Sequence, residues 1–216
     1  MVTNLNLKQR GAPGSRYQVS TFRKEMRRVT YSEIEEMRAR GYDAATVREA
    51  REAFERGKAA DRIIGRIAEA FAGVTLGDGV GLQQAQGLDD YEDEPTCAAY
   101  RETDEKEDWR KITSSDLNGC NSSLSFFDSK GMRFHLPAYM IAELRGEYDF
   151  GMAFSLTQVG DYDYNYSALD SAQRQAVRQF LLFLLDDPEY VFDRPHIERA
   201  LSDYWTAPPE ADQSNA

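Results

Sequence analysis

The stretch LSFFDSKGMRFHLPAYMIAEL, residues 124–144, constrains the fold of this chain more than any other. Its punctuation comes from Asp128, Gly131 and Pro137. Asp-Ser-Lys-Gly is what a type I turn followed by a left-handed glycine prefers, so the spacing predicts a β-hairpin with a short loop. In that register Leu124, Phe126, Phe134 and Leu136 share one face, while Ser125, Phe127, Arg133 and His135 share the other. Pro137 then opens a helix through Leu144, closed by Gly146, since proline is tolerated in a first helical turn. His135 falls on the weaker, partly solvated face with no local group to orient it as a base. On this reading the hairpin is framework.

Helical signals dominate elsewhere. Thr30 and Glu33 have capping-box spacing ahead of a first helix. Asp43 is placed to cap a second one, which Gly57 is expected to stop. Ile63, Ile64, Ile67 and Phe71 form an apolar stripe that ends near Gly73. A glycine-rich loop and a short helix follow in VTLGDGVGLQQAQGLDDY, residues 74–91. YDFGMAFSL, residues 148–156, reads as a possible strand. Asp170 or Ser171 caps SAQRQAVRQFLLFLL, which is amphipathic at first and then apolar all round, as in a helix surrounded by protein. Pro188 stops it, and Pro195 begins a last helix.

These elements predict an α+β fold, a small antiparallel sheet with a central hairpin packed by several helices. The expected organisation is a disordered arm (1–20), a charged helical extension (21–58), an α+β core (59–205) and a disordered tail (206–216). Several segments carry a resemblance: DW at 108–109, LSFFD..GMRFHLPAYM at 124–140, AQRQAVRQFL at 172–181 and GVTLGDGVGLQQAQGLDDY at 73–91. Together they resemble a bacterial family known only as a domain of unknown function. The resemblance covers roughly residues 60–185 and implies no activity.

Charge is unevenly distributed. The chain's net charge is −11. Residues 1–60 carry 13 Lys+Arg and 8 Asp+Glu, and the remainder carries 13 against 29. Ten acids lie in DDYEDEPTCAAYRETDEKED, residues 89–108. Such a surface repels nucleic acid phosphates and suits a basic protein partner. The longest apolar run, Phe180–Leu185, is far short of a membrane span, and the N-terminal residues lack a signal's apolar core. Cys97 and Cys120 do not make a disulfide framework, so the expected compartment is the cytoplasm.

Catalytic signatures are thin. Gly77, Gly79 and Gly81 match neither GxGxxG nor the P-loop pattern. DYDYNY (161–166) starts like a calcium loop but lacks the glycine and the closing glutamate. Two cysteines and two histidines do not have the spacing of a zinc site. A Cys120–His135–Asp128 set has no visible activator. No catalytic residue, metal or cofactor is therefore assigned. The expected function is a non-catalytic protein-binding domain, of the kind an immunity or antitoxin protein uses against a basic toxin. Asp89, Asp90, Glu92 and Asp93 are its expected contacts, with Tyr162, Tyr164 and Tyr166 from the tyrosine loop. The alternative is a small-ligand or enzymatic domain built on the Gly77–Gly81 loop with Asp78, Gly79 and His135.

Overall fold

The computed structural model describes residues 29–158 and 162–205, without the side chains of 162 and 163. The expected arm, the first residues of the extension, the tail and the Tyr162 side chain lie outside the described residues. Within them the fold is all-helical, with no strand. The expected sheet is absent from the described residues, and the α+β assignment is corrected to all-α.

The correction turns on residues 124–144. After a 3-10 turn (Ser123–Ser125), Asp128 caps a 16-residue helix, α6 (Ser129–Leu144). Its carboxylate accepts from the Gly131 amide at 2.8 Å. An Asp followed three positions later by a free N–H makes the same local bond in a turn and in a helix N-cap, so the motif fits both. What decides is burial. Thirteen of the sixteen α6 residues are buried. Leu136 and Pro137 stand inside the helix, and the loss of one backbone bond at Pro137 is outweighed by packing on every side.

Around α6 the other helices form a shell. The early ones are α1 (Tyr31–Ala39), α2 (Ala44–Ala70), α3 (Leu82–Asp89), α4 (Glu94–Thr103) and α5 (Ser114–Gly119). After α6 come α7 (Ala153–Thr157), α8 (Tyr162–Tyr166), α9 (Ser171–Leu185) and α10 (Arg194–Asp203). α6 contacts α2, α5, α8 and the Trp109–Lys111 turn. α2 also lies along α9, α10 packs on α7 and α9, and α3 pairs with α4. Residues 153–156 of the stretch read as a possible strand belong to α7.

The caps follow their local chemistry. Thr30 and Glu33 close a capping box, Asp43 accepts from the Ala45 and Thr46 amides, and Asp170 accepts from the Gln173 amide. Gly57 does not stop a helix: α2 runs 27 residues through it. The continuation is held from outside, because Arg56 pairs with Asp187 at 2.5 Å and lies over the Phe183 ring. Gln173, 1% exposed, joins three helices. Its side chain donates to the Ala70 carbonyl at the end of α2 and accepts from Arg133 Nε of α6.

Two glycines separate space from conformation. A Cβ on Gly131 would sit 2.5 Å from the Val80 carbonyl oxygen, whereas one on Gly65 would meet nothing within 4 Å. Gly131→Ala is expected to lower stability by about 1–3 kcal/mol through overpacking. Gly65→Ala is expected to raise it by about 0.5–1 kcal/mol, the ordinary helix-interior gain. Urea titrations of both variants check the pair.

Candidate functional site

Three regions place chemistry-bearing side chains together. The first is the junction of the Gly77–Gly81 loop with the start of α6. Gly79 packs so closely that a Cβ there would lie 2.7 Å from the Gly131 nitrogen. Asp128 also accepts from the Val80 amide at 2.9 Å, so one carboxylate fastens the loop to the helix it caps. Asp78 is exposed and pairs with Lys130 at 2.6 Å. That bond holds the Asp78 carboxyl below its usual range and raises the lysine.

His135 reaches the same junction from beneath. Its Nδ1 donates to the Gly131 carbonyl at 2.7 Å, since a carbonyl oxygen only accepts, which leaves the Nε2 lone pair facing inward. The ring stacks on Phe127 at 4.4 Å and meets the edge of Phe134 at 5.0 Å. It is fully buried, not on a partly solvated sheet face as the hairpin reading placed it. Burial pushes its pKa down to about 4. Nε2 and the buried Nη1 of Arg101 have no hydrogen-bond partner among the described residues. Arg101 spends Nη2 on the Gly77 carbonyl at 2.6 Å. Gly79 and His135 thus meet Gly131 and Asp78 pairs with the adjacent Lys130, but the loop is packed onto the helix and the ring is sealed below. The three do not form one open site.

The second region is the acidic stretch, which divides in two. Its later half is used by the fold. Asp104 is buried and accepts from the Gln83 and Gln84 amides at the start of α3, and burial raises its pKa. Glu105 accepts from the Lys106, Glu107 and Asp108 amides, and Asp108 caps the Trp109–Lys111 turn. The earlier half is left over. Asp89, Asp90, Glu92, Asp93 and Glu94 make no ion pair with the described residues. Asp93 caps α4 through the Thr96 amide.

Tyr91 stands among them, 95% exposed at φ 59°. It occupies the left-handed position of a Schellman motif that ends α3: the Glu92 amide donates to the Gly87 carbonyl and the Tyr91 amide to Leu88. Glycine is the residue this position favours. Sequence reading passed over Tyr91 because positive φ at a tyrosine is not visible in composition. Of the loop tyrosines, Tyr164 is 68% exposed, while Tyr166 is buried and donates to the Ser155 carbonyl at 2.7 Å.

The third region is a cavity of about 430 Å³ between α2, the Trp109–Ile112 segment, α5 and α6. Sequence reading missed it as well; its only trace was Arg145 following the apolar run of α6. Elsewhere, Cys120 is half-buried, and burial together with Asp104 and Asp116 pushes its thiol up to about 11, so it is a poor nucleophile. No group of three His, Cys, Asp or Glu that could hold a metal occurs among the described residues.

The model of a family of unknown function, DUF6714, matches residues 59–208. The chain belongs to this family. The DUF6714 region takes in α6, the Gly77–Gly81 loop, the acidic loop and the cavity, and it begins inside α2. No curated protein and no solved structure matches the chain. No helix among the described residues is long and apolar enough to cross a membrane.

The sealed histidine has a measurable consequence. Below about pH 6.5 the unfolded chain takes up a proton at residue 135, and the folded protein does not until about pH 4. Stability is therefore lost as pH falls through that window, by about 2 kcal/mol between pH 7 and pH 5. The raised Asp104 carboxyl works in the opposite direction, because its folded form holds a proton more readily than its unfolded form. In His135→Leu the histidine's share of the pH dependence should vanish. Urea unfolding at pH 7 and pH 5 checks this, and an unchanged pH slope in the variant would contradict it.

Proposed function

We propose that this DUF6714 protein is a non-catalytic binding domain that docks a basic protein on the acidic loop 89–94. The observation that carries the reading is Tyr91. A fully exposed aromatic side chain adds nothing to a core, and holding it at positive φ costs the fold roughly 1 kcal/mol against glycine. A residue kept at that cost, among five carboxylates that form no ion pair with a described residue, is placed as an interface anchor. Tyrosine is favoured in such roles, and surrounding acids steer a basic partner on encounter.

The fold's remaining chemistry supports binding over catalysis. Asp128 is committed to capping, His135 is neutral and enclosed, and the Cys120 thiol is held protonated. Asp89, Asp90, Glu92 and Asp93 keep their proposed role as contacts. Tyr164 remains exposed, and Tyr91 replaces the buried Tyr166 in the proposed set. The specific role suited to this charge is that of an inhibitor of the immunity or antitoxin kind, covering the basic face of a toxin. Unbridged Cys97 and Cys120 fit a reducing compartment such as the cytoplasm.

The test uses co-purification from the producing cells, followed by titration of the recovered basic protein against wild type and two variants. Tyr91→Gly is expected to unfold at higher urea while binding at least tenfold more weakly. The quadruple variant Asp89→Asn, Asp90→Asn, Glu92→Gln, Asp93→Asn keeps a capping side chain at 93 and should weaken binding and flatten its salt dependence. Equal affinity in both variants would contradict the proposal.

A further inference from the structure

The cavity between α2, α5 and α6 has two chemically distinct parts. Its floor is apolar: Ile64 and Ala68 of α2, Leu117 of α5, and Ala138 and Ile141 of α6. Small side chains at 68 and 138 leave the space open, where larger ones would fill it. At about 430 Å³ it falls within the range of small-molecule sites, roughly 300–1,000 Å³.

The rim carries two guanidinium groups. Arg110 lies 4.8 Å over the Trp109 ring and is 3.4 Å from Asp108. Arg145 follows the last turn of α6 and is exposed, and its side chain makes no hydrogen bond or ion pair with any described residue. Glu147 lines the same cavity without pairing to it. Asp108 already pairs with Arg110, so Arg145 is the guanidinium at this apolar hollow that has no acidic partner among the described residues.

We propose that this cavity binds a small amphipathic monocarboxylate. The apolar tail lies on the Ile64, Leu117 and Ile141 floor, and the carboxylate meets Arg145, with Arg110 beside it. A planar guanidinium suits a carboxylate because two parallel N–H donors match its two oxygens. Glu147 at the same mouth disfavours a second negative charge on the ligand. The tail supplies affinity through burial, and the arginines fix which end faces out.

Calorimetric titration of the full chain with octanoate, and with 1-octanol and octylammonium as controls, tests the proposal. Saturable one-to-one binding of octanoate is expected, at least tenfold tighter than either control. Arg145→Gln, a change at an exposed position, should weaken octanoate about tenfold and leave 1-octanol unchanged. Ala68→Leu, which fills the floor from a half-buried helix position, should abolish binding. Thermal unfolding of each variant verifies that it is folded. Absence of saturable octanoate binding, 1-octanol binding as tightly, or octanoate affinity untouched by both substitutions would each overturn the site.

Discussion

Everything else in the fold depends on the burial of α6. A helix enclosed on all sides has no solvent to satisfy its polar groups, so leaving one unpartnered is costly, and those α6 carries find partners within the protein with the exception of His135 Nε2. Asp128 is answered by its own Gly131 amide and by Val80. His135 is answered at Nδ1 by Gly131. Arg133 meets Gln173, and Glu143 accepts from the Met152 amide and the Tyr190 hydroxyl. The bonds to Val80, Gln173, Met152 and Tyr190 point to different neighbours, so they fix the rotation of α6 as well as its depth. The surrounding helices are positioned by what the central one cannot leave unpaired.

The same constraint sorts the charges. Acids near the central packing are consumed: Asp104 holds the start of α3, and Glu105 and Asp108 shape the turn around Trp109. Trp109 itself is buried and donates to the Phe71 carbonyl, so that turn is anchored to the end of α2. Past the end of α3, Asp93 caps α4 and Asp90 accepts from Gln86, but Asp89, Asp90, Glu92, Asp93 and Glu94 form no ion pair with a described residue. A run that looks uniform in composition therefore has a half consumed by the fold and a half whose charge is left unneutralised by the described residues, and the proposed docking loop is the second. The cavity lined by Arg145 arises similarly, where α6 emerges from the shell and its first exposed side chain is a cation.

Local signals were readable because capping chemistry is local. Thr30 with Glu33, Asp43 and Asp170 each satisfy amides within three residues, and nothing distant alters that. The central helix was not readable for a physical reason. Amphipathic period identifies a helix only when one face meets water, and α6 has no such face. With every position apolar or paired, the alternation of Phe134 and Leu136 with Arg133 and His135 imitates a strand. Asp128 and Gly131 fit a turn as well as a cap, and Pro137 suggested a helix start where the helix was already in progress. Gly57 misled in the simpler way: a glycine in α2 costs some helix propensity, but Arg56 packed on Phe183 and Asp187 holds the chain helical through it. The candidate site was half legible. The sequence offered Gly79 and His135 as one alternative site with no register linking them, and packing places Gly131 between the two.

Amide hydrogen exchange along the chain tests the central claim most directly. If α6 is the enclosed element on which the shell is built, amides from Met132 to Leu144 should exchange only through global unfolding, with protection matching the denaturant-derived stability. α1, which has one buried residue, should exchange far faster. Exchange in α6 through local opening, at rates like those of α1, would contradict the account.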